Sequence, residues 1–264
     1  MPVKPYKIRV GFIQTSPIFG EIEENIKNAT KKFKKIDADI IVLPELFNTG
    51  YNFKTKKELM PFAETIKGKT VKELQNIARQ KDMCIVAGIA EKHGKIIYNS
   101  SAMITKNEVN VYRKTHLFGD EKNIFEPGNT GFNVFEFKGA KIGMMVCFDW
   151  FFPEAARTLA LKGCDLIAHP ANLVLPYCPD AMRTRANENR VFTITCDRVG
   201  TEKSLKFIGM SQITDTKGNV LYRASKTQEE TKVLEINIKD ARNKKITGKN
   251  DLLNDRRIDM YKLT

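Results

Sequence analysis

The chain has 264 residues, enough to bury a large core, and no Pro/Gly/Ser-rich or low-complexity stretch marks a linker, so one domain over residues 1–264 is expected. Its 44 basic and 31 acidic residues leave a net charge of +13, but the lysines are interleaved with acids, as in KTKKEL and KTQEETK, without a zinc module, helix-turn-helix cue or RNP-like aromatic pattern; the reading is a lysine-rich surface and no nucleic-acid partner. No run nears the roughly 18 apolar residues of a membrane span, and the short apolar part of MPVKPYKIRVGFIQ falls short of a signal peptide, so the expected compartment is the cytoplasm.

In chain order, KIRVGFIQ (7–14) alternates polar and apolar residues and reads as a strand. Residues 21–36 place Ile22, Ile26, Ala29, Phe33 and Ile36 at helical spacing with lysines opposite. ADIIVLPE (38–45) is a short apolar run stopped at Pro44, the pattern of a strand buried in a parallel sheet. A second helix is predicted over 70–81. MCIVAGIAE and IIYNSSAMIT then form a hairpin about His93-Gly94-Lys95, and EVNVYRK is a further strand. THLFGDEKNIFEPGN (115–129) reads as a long loop, of a length that is often functional.

The second half resembles the first. KIGMMV parallels IRVGFI as an opening strand, residues 153–162 are helical, and CDLIAHPAN (164–172) aligns with ADIIVLPEL (38–46), matching Asp39 with Asp165, Ile41 with Ile167 and Pro44 with Pro170. More helix follows, then strands FTITCDRVG and FIGMSQITD. Two such halves would pack two sheets face to face with helices outside.

Five cysteines form an odd set without a CxxC pair, and His93, His116 and His169 show no ligand spacing, so neither disulfides nor a metal site is expected. Cys84, Cys164 and Cys196 read as small buried hydrophobes, and Cys178, between Tyr177 and Pro179, as a loop cysteine. Cys147 differs. It ends a strand just before PEAARTLALKG, where Pro153 can open a helix and Gly163 can stop it, so it lies on a strand-to-helix connection whose N–H groups and helix N-terminus favour negative charge. A thiol is mostly protonated at neutral pH and needs a base or a positive field to act as a nucleophile. His116 or His169 could supply the base. So could Glu45, after the strand ended by Pro44, with Lys114 at another strand exit.

LPELFNTGY around Glu45, YRKTHLF around Lys114 and VCFDWFFPEAAR around Cys147, in that order, resemble the nitrilase, or carbon-nitrogen hydrolase, superfamily over nearly the whole chain. The resemblance implies an α/β fold, a four-layer α-β-β-α sandwich with internal pseudo-twofold symmetry, and a homodimer. It implies a Glu45-Lys114-Cys147 triad, with Glu121 of DEKNIFEPG as a second glutamate. Lys114 and the backbone N–H of Phe148 would stabilise the developing oxyanion, and Tyr51, Phe118, Trp150 and Asn172 are candidates for lining the substrate pocket. The activity implied is hydrolysis of a non-peptide C–N bond through a thioester, without metal or organic cofactor. CFDWFFPE is more similar to amidase and N-carbamoyl-amine hydrolase members than to the C-W-E pattern of many nitrilases. The expected substrate is therefore a small aliphatic amide or N-carbamoyl amine; the alternatives are a nitrile substrate, or an interaction module that keeps the fold without chemistry.

Overall fold

A strand covered on both faces needs apolar side chains at successive positions, a demand met by IIV at 40–42 and by CIVAGIA at 84–90. The computed structural model describes residues 6–261. In chain order it contains β1 (Lys7–Gln14), α1 (Ile22–Phe33), β2 (Ile40–Val42), α2 (Lys56–Leu59), α3 (Lys69–Lys81), β3 (Cys84–His93), β4 (Ile96–Ile104), β5 (Val109–Arg113), β6 (Val134–Phe137), β7 (Ala140–Met144) and α4 (Pro153–Leu161). Then come β8 (Leu166–Pro170), α5 (Cys178–Asn189), β9 (Phe192–Cys196), β10 (Thr201–Glu202), β11 (Leu205–Lys206), β12 (Gln212–Thr214), β13 (Val220–Arg223), β14 (Glu230–Asn237) and α6 (Lys239–Arg242).

Two six-stranded sheets result, ordered β14-β1-β2-β3-β4-β5 and β13-β12-β9-β8-β7-β6. In the first, β1, β2 and β3 are mutually parallel and the outer pairings are antiparallel. The second repeats this, with β7, β8 and β9 parallel at its centre. Ile8, Val10 and Phe12 of β1, Ile40 and Val42 of β2, and Cys84 and Val86 of β3 join Ile142, Leu166, Ala168 and Ile194 in the core between the sheets. The alternate residues Ile13, Ile41, Leu43, Ile85 and Ala87 pack outward with Phe33 of α1 and Leu74 of α3. Across the molecule, α4 lies so close on β7 that a β-carbon on Gly143 would sit 2.7 Å from a Leu159 methyl. The layers are helix, sheet, sheet, helix, as expected.

The aligned Asp39 and Asp165 do the same work in each half. The Asp39 N–H donates to Arg9 O at 2.8 Å while Arg9 N–H donates to its carboxylate at 2.9 Å. Asp165 N–H donates to Lys141 O at 2.8 Å, and Lys141 N–H to the Asp165 carboxylate at 3.0 Å. Each aspartate thus ties the start of one central strand to its neighbour.

Several boundaries differ from the sequence reading. The first helix stops at Phe33, and the chain reaches Ile36 through tighter i to i−3 bonds, Lys35 to Lys32 and Ile36 to Phe33. β2 covers three residues because Pro44 has no N–H to continue the ladder. The loop after β5 contains a 3-10 turn over Gly119–Asn123. Cys178 is not a loop cysteine: it is fully buried as the first residue of α5, with Pro179 in the opening turn where its missing N–H is harmless. The sequence reading had no counterpart for β6, β13 and β14, edge strands whose side chains are nearly all half-exposed or exposed. Among the described residues, no helix is long and apolar enough to cross a membrane.

Past β2 the chain stays locked to β3 through Leu43 N–H to Val86 O, Gly88 N–H to Pro44 O and Phe47 N–H to Gly88 O. A β-carbon on Gly88 would fall 2.3 Å from Glu45 Cα and 2.8 Å from Leu46 N, so only glycine allows this approach. Gly88→Ala is expected to destabilise the protein by about 2–3 kcal/mol, the range of an overpacked core; urea unfolding measures it, and a change below about 0.5 kcal/mol would contradict the close approach.

Candidate active site

Glu45 is fully buried beyond the end of β2, followed by Leu46 in the left-handed region at φ +47°. Its Oε1 accepts from Asn99 Nδ2 of β4 at 2.7 Å and from Lys114 Nζ at 2.8 Å. Its Oε2 is buried without a protein partner. Burial raises the Glu45 pKa, opposed by the charge of Lys114 and reinforced by that of Glu121. The carboxyl therefore has one oxygen committed and one available for a proton.

Lys114 leaves the end of β5 and is also fully buried. Its Nζ lies 2.8 Å from Glu45 Oε1 and 2.8 Å from Glu121 Oε1, which commits two of three ammonium protons to carboxylates. Burial alone would lower the Lys114 pKa, but Glu121 and Glu45 outweigh it and hold the pKa well above the ordinary value. Glu121 sits on the 3-10 turn, where its Oε2 accepts from Phe118 N–H at 3.1 Å. Tyr51 OH donates to Glu121 Oε1 at 2.6 Å, so Tyr51 orients a carboxylate in addition to flanking a cavity.

Cys147 follows β7 and Val146 and opens a 3-10 turn over Cys147–Phe151 before α4 begins. Its φ is +41°, a costly conformation for a residue with a β-carbon and one that persists only under restraint. The restraint is visible on both sides. Asp149, fully buried, accepts from Val146 N–H at 2.9 Å, Tyr112 OH at 2.7 Å and His116 N–H at 3.1 Å, and its Oδ1 lies 2.7 Å from His116 Nδ1. His169 Nε2 donates to the Cys147 carbonyl at 2.8 Å. A carbonyl can only accept, so Nε2 carries the proton, leaving Nδ1 to accept from the Thr195 hydroxyl at 3.1 Å.

The sulfur itself donates to Asn172 O at 3.7 Å. Burial, then the Glu45 carboxylate, pushes the thiol pKa well above the ordinary value, with Lys114 pulling the other way. Burial and the neighbouring carboxylate thus work against the thiolate that a helix N-terminus was expected to favour. Cys147 opens onto a narrow pocket of about 20 Å³, room for a water-sized group, lined also by Phe118, Phe148, Trp150 and Asn172 and by Leu173, Val174 and Leu175. A second cavity of about 240 Å³ adjoins it across Phe118 and reaches Tyr51 and Glu121. A larger cavity, about 970 Å³ beside Arg190 and Asp215, is lined by none of these residues.

The structure therefore brings together Glu45, Lys114, Glu121 and Tyr51 in one hydrogen-bonded group, and Cys147, Phe118, Phe148, Trp150 and Asn172 around one pocket. Asn172 joins the two by donating from Nδ2 to Glu45 O at 2.9 Å. Neither histidine serves as a base to the thiol. His116 is engaged by Asp149 and stacked on Phe152 at 3.7 Å, and His169 faces the backbone. Sequence reasoning missed Asn99 and Asp149, and considered His169 only as a base for the thiol and not as the donor that holds the Cys147 carbonyl. A polar Asn in the middle of IIYNSSAMIT and a His in LIAHP were the available signals, since a strand interior holds such groups only when they are partnered. Among the described residues no group of three or more His, Cys, Asp or Glu side chains is placed to hold a metal ion.

Burial lowers the His169 pKa from 6.5 to about 4. The unfolded chain takes up this proton below 6.5 and the folded protein only near 4, so the stability due to neutral His169 is lost as pH falls through that window. Between pH 7.5 and 4.5 the wild type is expected to lose roughly 2–3 kcal/mol more than His169→Gln. Parallel slopes in urea titrations of the two proteins would contradict this.

The family model described as Carbon-nitrogen hydrolase matches residues 9–245. The chain is 50% identical over 259 residues to a protein of Pyrococcus abyssi named nitrilase, an alignment covering 96% of this chain and 99% of that protein. It is 34% identical over 227 residues to an (R)-stereoselective amidase of a Pseudomonas species, covering 84% and 81%. A solved carbon-nitrogen hydrolase from Helicobacter pylori G27 superposes with a TM-score of 0.86 at 25% identity, over 98% of both chains. The chain belongs to the carbon-nitrogen hydrolase family and is an enzyme of the amidase/nitrilase type, not a module that keeps the fold without chemistry.

Proposed function

We propose that this enzyme hydrolyses a small aliphatic amide or N-carbamoyl amine through a thioester on Cys147, releasing ammonia. The observation that carries the reading is the division of labour at Glu45: Oε1 is held by Lys114 and Asn99, while the buried Oε2 has no protein partner and belongs to a carboxyl with a raised pKa. Such a group is a proton acceptor tuned toward neutral pH.

The steps follow from these positions. Glu45 takes the thiol proton as sulfur bonds to the carbonyl carbon, and the carbonyl π electrons move to oxygen. Because burial disfavours a free thiolate, proton transfer and attack proceed together. The remaining ammonium proton of Lys114 and the N–H of Phe148, the first residue past the strained elbow, donate to the oxyanion. Glu45 returns its proton to nitrogen, the C–N bond breaks and ammonia departs. Water, losing a proton to Glu45, then attacks the thioester; the C–S bond breaks, sulfur regains the proton, and the carboxylic acid leaves, or, from an N-carbamoyl amine, a carbamic acid that breaks down to the amine and carbon dioxide. Glu121, held by Lys114, Tyr51 and the Phe118 N–H, orients the ammonium and the substrate. The aromatic and aliphatic pocket wall favours an uncharged acyl group. A nitrile is the second reading, favoured by the name of the Pyrococcus abyssi relative.

Ammonia release across small amides, carbamoyl amines and nitriles tests the reaction. Hydroxylamine is expected to divert the acyl group to a hydroxamate, and Cys147→Ala to yield neither product; full activity in that variant would eliminate the nucleophile. Lys114→Met is expected to lower kcat on the order of 100-fold, the loss of one oxyanion donor worth about 3 kcal/mol. Because Glu45 must be ionised and its pKa is raised above 4.5, kcat/KM is expected to fall with acidification through a limb lying above that value. A limb at or below 4.5 in the pH profile would assign the base elsewhere.

A further inference from the structure

A second buried ion pair, formed by β10 and the residues before it, bears on the same site. Arg198 and Glu202 are 1% and 4% exposed; Arg198 Nη1 is paired with Glu202 Oε2, and its Nη2 donates to Pro17 O at 2.7 Å. The other carboxylate oxygen, Oε1, accepts from the backbone N–H groups of both Tyr51 and Asn52, the former at 2.8 Å. We propose that Glu202, held in place by Arg198, is a positioning residue for the reaction: it fixes the Tyr51 backbone, as Phe207 fixes the Tyr51 ring, so that the phenol stays on Glu121 and Glu121 stays on Lys114. The proposal rests on the reading of Lys114 as the oxyanion donor.

Two adjacent buried N–H groups need acceptors, and one carboxylate can serve both; burying that carboxylate in turn requires a cation. The fit is close. Gly50 has φ +80°, and a β-carbon there would sit 2.7 Å from Glu202 Oε2 and 3.0 Å from Phe19 Cα, so the turn before Tyr51 is built against the carboxylate. Phe207 meets the Tyr51 ring edge-on at 6.1 Å and has the Arg198 guanidinium over its own face at 4.2 Å. With backbone and ring both held, the Tyr51 hydroxyl donates to Glu121 Oε1 at 2.6 Å, the oxygen that also accepts from Lys114 Nζ at 2.8 Å. An apolar pair of the same shape could replace the ion pair at little cost in stability, but it would give the Tyr51 N–H no acceptor. A shift of ~1 Å at Tyr51 would break the bond to Glu121, and misplacement of that order around a reacting centre costs about 100-fold in rate.

The test compares two double variants that both lack the buried charges. Arg198→Met with Glu202→Gln keeps an oxygen for the Tyr51 and Asn52 N–H groups; Arg198→Met with Glu202→Leu does not. The second is expected to release ammonia with a kcat about 10- to 100-fold below the first, the weight of one hydrogen bond to a charged group, while KM changes less. Adding Tyr51→Phe, which removes the hydroxyl through which Glu202 acts, is expected to bring the two kcat values together. Equal kcat in the two doubles would overturn the assignment. So would a difference that survives Tyr51→Phe unchanged, the result of a merely structural role. If neither double folds, Phe207→Leu reads the same route: kcat is expected to fall in the wild-type background and not in Tyr51→Phe, and an unchanged kcat in the wild-type background would overturn the proposal. Failure of the underlying reading is seen separately, as an unchanged kcat in Lys114→Met.

Discussion

The site is organised by one buried ammonium held between two buried carboxylates. Lys114 reaches Glu45 from one side and Glu121 from the other, each at 2.8 Å, and none of the three has significant solvent contact. Charges taken out of water are tolerated only when closely paired and hydrogen-bonded, and removing the cation would leave two like charges facing each other. Much of the surrounding structure serves to keep these groups in register. Gly88 lets β3 press against Glu45, Asn99 of β4 donates to the same carboxylate oxygen as Lys114, and the 3-10 turn and Tyr51 hold Glu121.

Cys147, the proposed nucleophile, is governed by the opposite balance. Cys147 is buried beside a carboxylate, so its resting form is the thiol. In the proposed reaction this exchanges the reactivity of a free thiolate for coupling, with the proton passing to Glu45 as sulfur bonds to carbon. The strained elbow presents the sulfur to the pocket, and Asp149 and His169 hold the backbone on either side of it. Two residues that resemble partners for a cysteine, His116 and His169, are instead structural, since their ring nitrogens are engaged by a carboxylate, a backbone carbonyl and a hydroxyl.

Duplication accounts for where the site lies. Both sheets place parallel strands at their centres with antiparallel strands outside, and Asp39 and Asp165 tie corresponding strands together in the same way. The proposed catalytic groups are nonetheless divided unequally, with Glu45 beyond β2, Lys114 beyond β5 and Cys147 beyond β7. Strand ends are where backbone groups leave the ladder and side chains converge, so a repeated scaffold supplies equivalent places that different residues can occupy. The expected sandwich was therefore legible in the likeness of the two halves, ADIIVLPEL against CDLIAHPAN among them, together with the family resemblance. The edge strands β6, β13 and β14 were not, because short or half-exposed strands bury no continuous apolar face.

By itself the sequence determined the local elements and the order of Glu45, Lys114 and Cys147, because apolar periodicity and strand stops are written in neighbouring residues. It also pointed to Glu121, Phe148 and the pocket candidates through the resemblance of short segments. Only the tertiary structure decided that Tyr51 grips Glu121, that Asn99 shares an oxygen of Glu45 with Lys114, that Cys178 is buried in a helix and that the thiol is neutral. Those outcomes depend on pairings across tens of residues and on exclusion of water, and both arise when the two sheets close on each other.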